Sequence, residues 1–377
     1  MRRALPLLVG AALLAACGQG GNESTLEITG TAPASPSGPT SDPTAPTDPT
    51  PSETDDGAPE VVETIATGLE APWGLDFFED GDAIVTERDS GRVLRVAADG
   101  NHEITELGTI DEAAPIAEAG LLGVALSPDF ERDSTAYFYV STDEDNRVVR
   151  AELDGDSLGE PEPILTGIPL GQIHDGGRLE FGPDGYLYVS TGETGDGPLA
   201  QDRSSLAGKI LRVTTDGDPA PGNPFDTEVW TWGHRNVQGL AFDGDRLWAS
   251  EFGLDTFDEL NLIERGENYG WPDVEGTGGE PEYVDPQLTW STDEASPSGL
   301  AHTDGQLWMA ALRGERLWRV EVNRGRATNP QGFFVGDYGR MRTIGVAPDG
   351  RLWVMTSNRD GRGEPTEDDD RILLVEP

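Results

Sequence analysis

An internal sixfold repeat constrains this chain more than any other feature of its sequence. Its clearest copy lies in HDGGRLEFGPDGYLYVSTGE, residues 174–193. Two short alternating strands, 178–181 and 186–191, are joined there by Gly182-Pro183-Asp184-Gly185, residues that preset or permit turn geometry. The same order of apolar strand, Asp-Gly turn and alternating strand, mostly followed by a third strand, recurs at 72–96, 120–153, 176–213, 239–263, 299–322 and 343–377. Six sheets of about four strands, repeating roughly every 40 to 60 residues, predict an all-β fold: a six-bladed β-propeller with four-stranded antiparallel blades. A β-sandwich accounts for neither the six copies nor the long loops between them. The segment EVVETI, 60–65, precedes the first copy and is placed to add a strand to the last blade and close the ring.

Two other segments lie ahead of the repeat. Residues 1–17, MRRALPLLVGAALLAAC, have the basic start, apolar run and small residues of a secretory signal peptide. Leu14-Ala15-Ala16-Cys17 resembles a bacterial lipobox, which implies cleavage before Cys17 and its acylation. The expected location is an exported lipoprotein on the outer face of the bacterial cytoplasmic membrane or in the periplasm. Cys17 is the one cysteine of the chain, so no intramolecular disulfide can form. Residues 18–60 are rich in Pro, Thr, Ser, Gly and acids, too polar to offset the entropy of ordering, and read as a disordered tether. The folded part is then 61–377.

In the central hairpin His174 precedes the first strand and Glu193 follows the second, so both fall at one open end, where a base and its orienting carboxylate can meet. Between the third and fourth copies, Arg235 offers a planar fork of donors and Asn236 both a donor and an acceptor, suited to a carboxylate or quinone oxygen. In SEFGLDTFDELNLIERGENYGWPD, residues Glu251, Asp255, Asp258, Glu259 and Asp273 supply oxygen ligands of the kind a hard cation such as calcium takes. An ordinary acidic surface loop is the alternative. Arg313, Arg340 and Arg342 stand at equivalent loop ends of two neighbouring copies, and a small, strongly anionic ligand would account for them.

Over residues 61–377 the chain resembles the soluble pyrroloquinoline-quinone (PQQ)-dependent glucose/sorbosone dehydrogenase family, in its aldose sugar dehydrogenase branch. The resemblance is carried by GLLGVALSPDF, HDGGRLEFGPDGYLYVSTG, LAGKILRV, GHRNVQGLAF, the SEFG to NYGWP stretch and the Arg-x-Arg before VAPDG. It implies a six-bladed propeller that oxidises aldoses at C1 to the lactone, with PQQ and Ca2+ as cofactors. His174 is then the general base for the C1 hydroxyl, and Glu193 stands where the family usually has the aspartate that orients this histidine. Glu118 matches a polar pocket position, Arg235 and Asn236 the pair that contacts the quinone, and Arg313, Arg340 and Arg342 the groups that hold its carboxylates. Gly253 and Leu254 match two carbonyl ligands of the calcium beside the quinone, and Glu259 and Tyr269 a second, structural calcium site. Where the family commonly has His or Gln followed by Gly-Pro, this chain has Phe252-Gly253-Leu254, without the proline.

Charge narrows the partners. The formal net charge is −44, with Lys209 the only lysine, so a phosphate backbone is a poor partner and nucleic acid is excluded. Electrons from an aldose require an acceptor outside the chain, and the only membrane association expected is through the lipid anchor. Two other readings keep the propeller: a non-catalytic, calcium-stabilised carbohydrate- or protein-binding module, and a calcium-dependent lactonase. Neither has a use for His174, Arg235 and the three arginines together.

Overall fold

A computed structural model of the protein describes residues 57–377 apart from Glu280. The signal peptide, Cys17 and nearly all of the tether lie outside the described residues. The described chain forms six four-stranded antiparallel sheets, the propeller that the repeat predicts. In chain order the blades span residues 72–109, 121–168, 179–232, 237–291, 297–333 and 341–376. The sixth is completed by Glu60–Ala66, which pairs antiparallel with Ile372–Glu376 from Glu60 opposite Glu376 to Ala66 opposite Ile372. The ring is therefore closed by the strand expected to close it, beginning at the last residue assigned to the tether.

Each blade is covered on both faces by its neighbours, so its first two strands are buried nearly throughout instead of alternating. Leu121–Leu126 is buried at all six positions and Leu187–Ser190 at all four. Apolar layers between blades replace a single core. One joins Trp73 and Leu122 to Tyr139, Leu179 and Leu211, and another joins Trp248 and Trp290 to Leu300, Met309 and Trp318. Inner strands of successive blades approach so closely that a side chain is excluded at one point of the repeat. A Cβ on Gly123 would lie 2.2 Å from the Gly177 carbonyl oxygen, and one on Gly239 would lie 2.3 Å from that of Ser298.

This geometry places the site. All six inner strands run the same way along the central channel. Their starts, the loops between blades and the loops between second and third strands consequently gather at one end. His174, Arg235 and Arg340 all sit within a few residues before an inner strand begins.

Candidate active site

At that end a cavity of about 520 Å3 is lined by Trp73, Glu118, His174, Arg235, Asn236, Gln238, Gly253, Leu254, Arg313, Arg340 and Arg342, among others. A somewhat larger groove of about 600 Å3 is lined by residues of blades 2 and 3. Its arginine, Arg150, is already paired with Glu162 and Asp216, so the groove has no free cation to offer a ligand.

His174 is held from three sides. Its backbone has φ 60°, in the left-handed region, and its N–H donates to Glu118 Oε2 at 2.9 Å. Ring atom Nδ1 bonds Glu193 Oε1, and Arg235 Nη2 lies 3.0 Å from Nε2. A guanidinium only donates, so Nε2 is the acceptor and Nδ1 carries the proton. That is the tautomer a general base requires, with its lone pair directed into the cavity and its other nitrogen fixed by a carboxylate. Glu193 is 2% exposed, and its own N–H donates to the Arg235 carbonyl at 2.8 Å. Base, orienting acid and arginine thus form one construction. Glu118 also accepts from Arg362, at 2.8 Å. Burial works against its ionisation, but the His174 N–H and Arg362 hold it below the usual carboxylate range.

Behind the cavity wall a second histidine fixes Arg235. His234 is fully buried, stacks on Tyr269 at 4.6 Å between centroids, and bonds Glu251 at 2.8 Å and Thr231 at 2.9 Å. The other oxygen of Glu251 accepts the Arg235 backbone N–H. Asn236 Oδ1 accepts the Gly176 N–H at 3.1 Å, tying the arginine's neighbour to the loop of His174. Arg235 keeps one orphan, its buried Nε, which has no partner among the described residues. Burial lowers its pKa, opposed by Glu193, Glu251 and Glu118.

Deeper in the channel, positive charge outnumbers its partners. Arg340 and Arg342 share one carboxylate, Asp360, at 2.9 and 3.4 Å. Arg342 also donates to Gln238 Oε1 at 2.9 Å. Below them Arg178 donates to the Gln238 carbonyl and to Thr343 and lies 4.3 Å from the Trp73 ring centroid, with no carboxylate bonded to it among the described residues. Burial, reinforced by Arg342, pushes Arg178 down to about 9, and burial pushes Arg342 down to about 10. Both remain cations at neutral pH. Buried cations in excess of carboxylates, beside an unpartnered guanidinium nitrogen, fit a small polyanion.

Arg313 does not join this group. It borders the cavity, but its side chain is 62% exposed and bonds Asp293 at 2.6 Å at the rim. Nor do the acids of blade 4 converge on a cation: among the described residues no three acidic, histidine or cysteine side chains are grouped to hold a metal. Asp258 instead accepts the N–H groups of Gly253 and Ser296, and Asp273 accepts from Tyr283 at 2.9 Å. Glu259 accepts from Gly276 and Asn261. Burial beside Glu251 pushes it up to about 8. The Tyr269 hydroxyl is bonded to the Leu262 carbonyl and the Glu264 N–H. These bonds use the Tyr269 hydroxyl and one lone pair of each Glu259 oxygen, and among the described residues they leave the Tyr269 backbone carbonyl and the remaining Glu259 lone pairs open to a cation. Gly253 and Leu254, whose carbonyls the resemblance assigns to the other calcium, stand on a segment that lines the cavity.

Residues 69–373 match the Glucose / Sorbosone dehydrogenase family. The chain belongs to the glucose/sorbosone dehydrogenase family. A solved relative is the PQQ-bound form of an aldose sugar dehydrogenase from Streptomyces coelicolor, 53% identical, with a TM-score of 0.82 over 85% of this chain and 98% of that one. The aldose sugar dehydrogenase YliI of Escherichia coli is 30% identical over 80% of this chain and 91% of its own length. Quinoprotein glucose dehydrogenase B of Acinetobacter calcoaceticus is 32% identical, over 59% of this chain and 54% of its own.

For a glucose/sorbosone dehydrogenase fold, sequence reasoning missed Arg178, Trp73 and Gln238 and read Glu251 only as a candidate cation ligand. Arg178 and Trp73 stand in the quoted repeats but read as strand residues, because their stacking joins different blades. Glu251 accepts the Arg235 N–H from 16 residues away, and Gln238 accepts from Arg342, 104 residues away. Their one signal was their place inside the GHRNVQG and SEFG stretches.

Proposed function

We propose that the protein is a PQQ-dependent aldose sugar dehydrogenase that removes two electrons and two protons from C1 of an aldose, giving the lactone, and passes the electrons to an external acceptor. The observation that carries this reading is the tautomer-fixed pair of Glu193 and His174, facing a cavity whose depth holds unbalanced arginine charge. Arg340, Arg342 and Arg178 would seat the cofactor's carboxylates, Arg235 and Asn236 its carbonyl oxygens, and the carbonyls of Gly253 and Leu254 a calcium ion beside it. When bound, PQQ supplies the two-electron acceptor and calcium the Lewis acid at its oxygen. The chain supplies the proton chemistry. The C1 hydroxyl replaces Arg235 Nη2 at His174 Nε2 and gives up its proton there. Glu193 stabilises the resulting imidazolium, and Glu118 keeps the His174 backbone in position. Arg313, paired outward with Asp293, is best placed to act at the rim.

The sequence of residues 1–17 supports export, and Cys17 supports a lipid anchor. Among the described residues no helix is long and apolar enough to cross a membrane. Mass spectrometry of the mature N-terminus checks this: an acylated Cys17 is expected, and an unmodified one overturns the anchor.

Dye reduction with D-glucose and a panel of aldoses, with and without PQQ and calcium, tests the catalytic reading. Turnover that requires PQQ and is lost on chelation of calcium is expected. A protein that binds sugar or calcium but no PQQ would make it a non-catalytic binding propeller.

A further inference from the structure

The absent proline at position 254 coincides with a contact that proline could not make. Glu275, in the long loop between the third and fourth strands of blade 4, turns one oxygen toward four consecutive amides. Glu275 Oε1 accepts from the N–H groups of Leu254 at 2.7 Å, Asp255 at 3.2 Å, Thr256 at 3.1 Å and Phe257 at 3.2 Å. Successive amides converging on one oxygen form an anion nest, here filled by the chain's own carboxylate. The segment is wrapped tightly enough that a Cβ on Gly253 would meet Glu275 Oε1 at 2.6 Å and the Phe257 carbonyl at 1.9 Å.

The direction of these amides has a consequence. In a planar trans peptide the N–H of one residue and the C=O of the residue before it point opposite ways. The loop itself illustrates this: the Gly253 N–H donates to Asp258, and the carbonyl of that peptide, Phe252 O, accepts from the cavity-lining Arg235 at 3.3 Å. By the same rule, the Leu254 N–H on Glu275 turns the Gly253 carbonyl away from Glu275. The Asp255 N–H on Glu275 turns the Leu254 carbonyl away likewise. Glu275 therefore orients the two carbonyls to which the calcium reading assigns the ion.

We propose that Glu275 is the positioning residue of the cofactor-side loop, taking over the role of proline at 254 by clamping amides 254–257 so that the Gly253 and Leu254 carbonyls are preset for a divalent cation. This rests on the calcium reading above, and its test separates the two. Hydrogen–deuterium exchange on metal-free protein reads the clamp directly. In Glu275→Ala, amides 254–257 should exchange at least about tenfold faster, while strands 307–311 and 317–320 keep their protection. Calcium titrations at fixed PQQ, followed by fluorescence, should show calcium affinity weakened by about 10- to 100-fold, the usual cost of losing an outer-shell partner. Restoring the stiff residue in the variant, as Glu275→Ala with Leu254→Pro, should recover calcium affinity without restoring the Leu254 amide. Unchanged exchange, or faster exchange with unchanged calcium affinity, overturns the proposal. If the unsubstituted protein shows no calcium response, the calcium reading fails and the proposal with it.

Discussion

The two ends of the central channel are made by the same six inner strands and are electrostatic opposites. One end carries His174 and the arginine group. The other is a cavity of about 350 Å3 lined by Asp76, Phe77, Glu180, Phe181, Phe242 and His302. Burial pushes Asp76 up to about 6 there, against N–H groups of Leu126 and Phe77. Burial and then Asp76 push Glu180 up to about 8. Arg178 lies between the two ends. An anion finds an excess of cations at the first and carboxyl groups at the second, so the axis has one seat for it. The difference comes from which strand ends carry variable sequence. Blade-to-blade loops such as 168–179 and 333–341 open on the arginine end, whereas inner-hairpin turns as short as 243–246 and 303–306 close the other. A repeat secures the ring, and chemistry is placed where the copies are free to differ.

The comparison breaks most sharply at its two histidines. His174→Ala is expected to lower kcat for aldose oxidation by about 10²- to 10⁴-fold, the usual contribution of a positioned base. His302→Ala, at the opposite end, should leave kcat within about twofold. Dye-reduction assays of both variants decide it, and equal losses would show that the site is not confined to one end. Arg342→Met comes next. Losing a charged hydrogen-bond donor in a buried seat should weaken PQQ binding by about 10- to 100-fold. Asp360 retains Arg340 at 2.9 Å, so blade 6 is expected to stay folded. A fluorescence titration with PQQ checks this, and unchanged affinity would remove Arg342 from the seat.

Much of this contrast was legible in the sequence. Alternating strands around Asp-Gly turns gave the blade count, and EVVETI gave the closure. His174, Glu193, Arg235, Asn236, Arg340 and Arg342 could be expected near one another because each stands beside a strand end at the same rim, which periodicity can locate. What escaped depends on contacts that no local pattern records. Arg313 occupies an equivalent loop end, yet Asp293, 20 residues earlier, turns it outward. The acids of blade 4 were read as cation ligands, but most accept hydrogen bonds from backbone N–H groups, and a carboxylate looks the same in sequence whichever it does. Glu275 reaches the 254–257 loop only because the long insertion folds back across blade 4.

The smallest expected effect sharpens the comparison from the carboxylate end. Glu180 has an ordinary value near 4.5 and a folded value of about 8. Between these the native protein retains a proton that the unfolded chain releases, so this group makes stability fall as pH rises through that window; below about 4.5 it costs nothing. Glu180→Gln is neutral in both states and removes the dependence. The side chain is half-buried at an open mouth, and water there screens its charge. The gain above pH 8 should therefore be on the order of 1 kcal/mol, well short of the ~5 kcal/mol that the whole displacement would carry. Thermal unfolding should show Glu180→Gln melting about 1 to 3 °C above the unsubstituted protein at pH 8.5 and level with it at pH 4. PQQ affinity should change little, because Arg178 and Trp73 separate Glu180 from the seat. A Glu180→Gln variant that tightens PQQ binding by about tenfold would mean that the two ends share one electrostatic field, and that the carboxylates help set affinity as well as orientation.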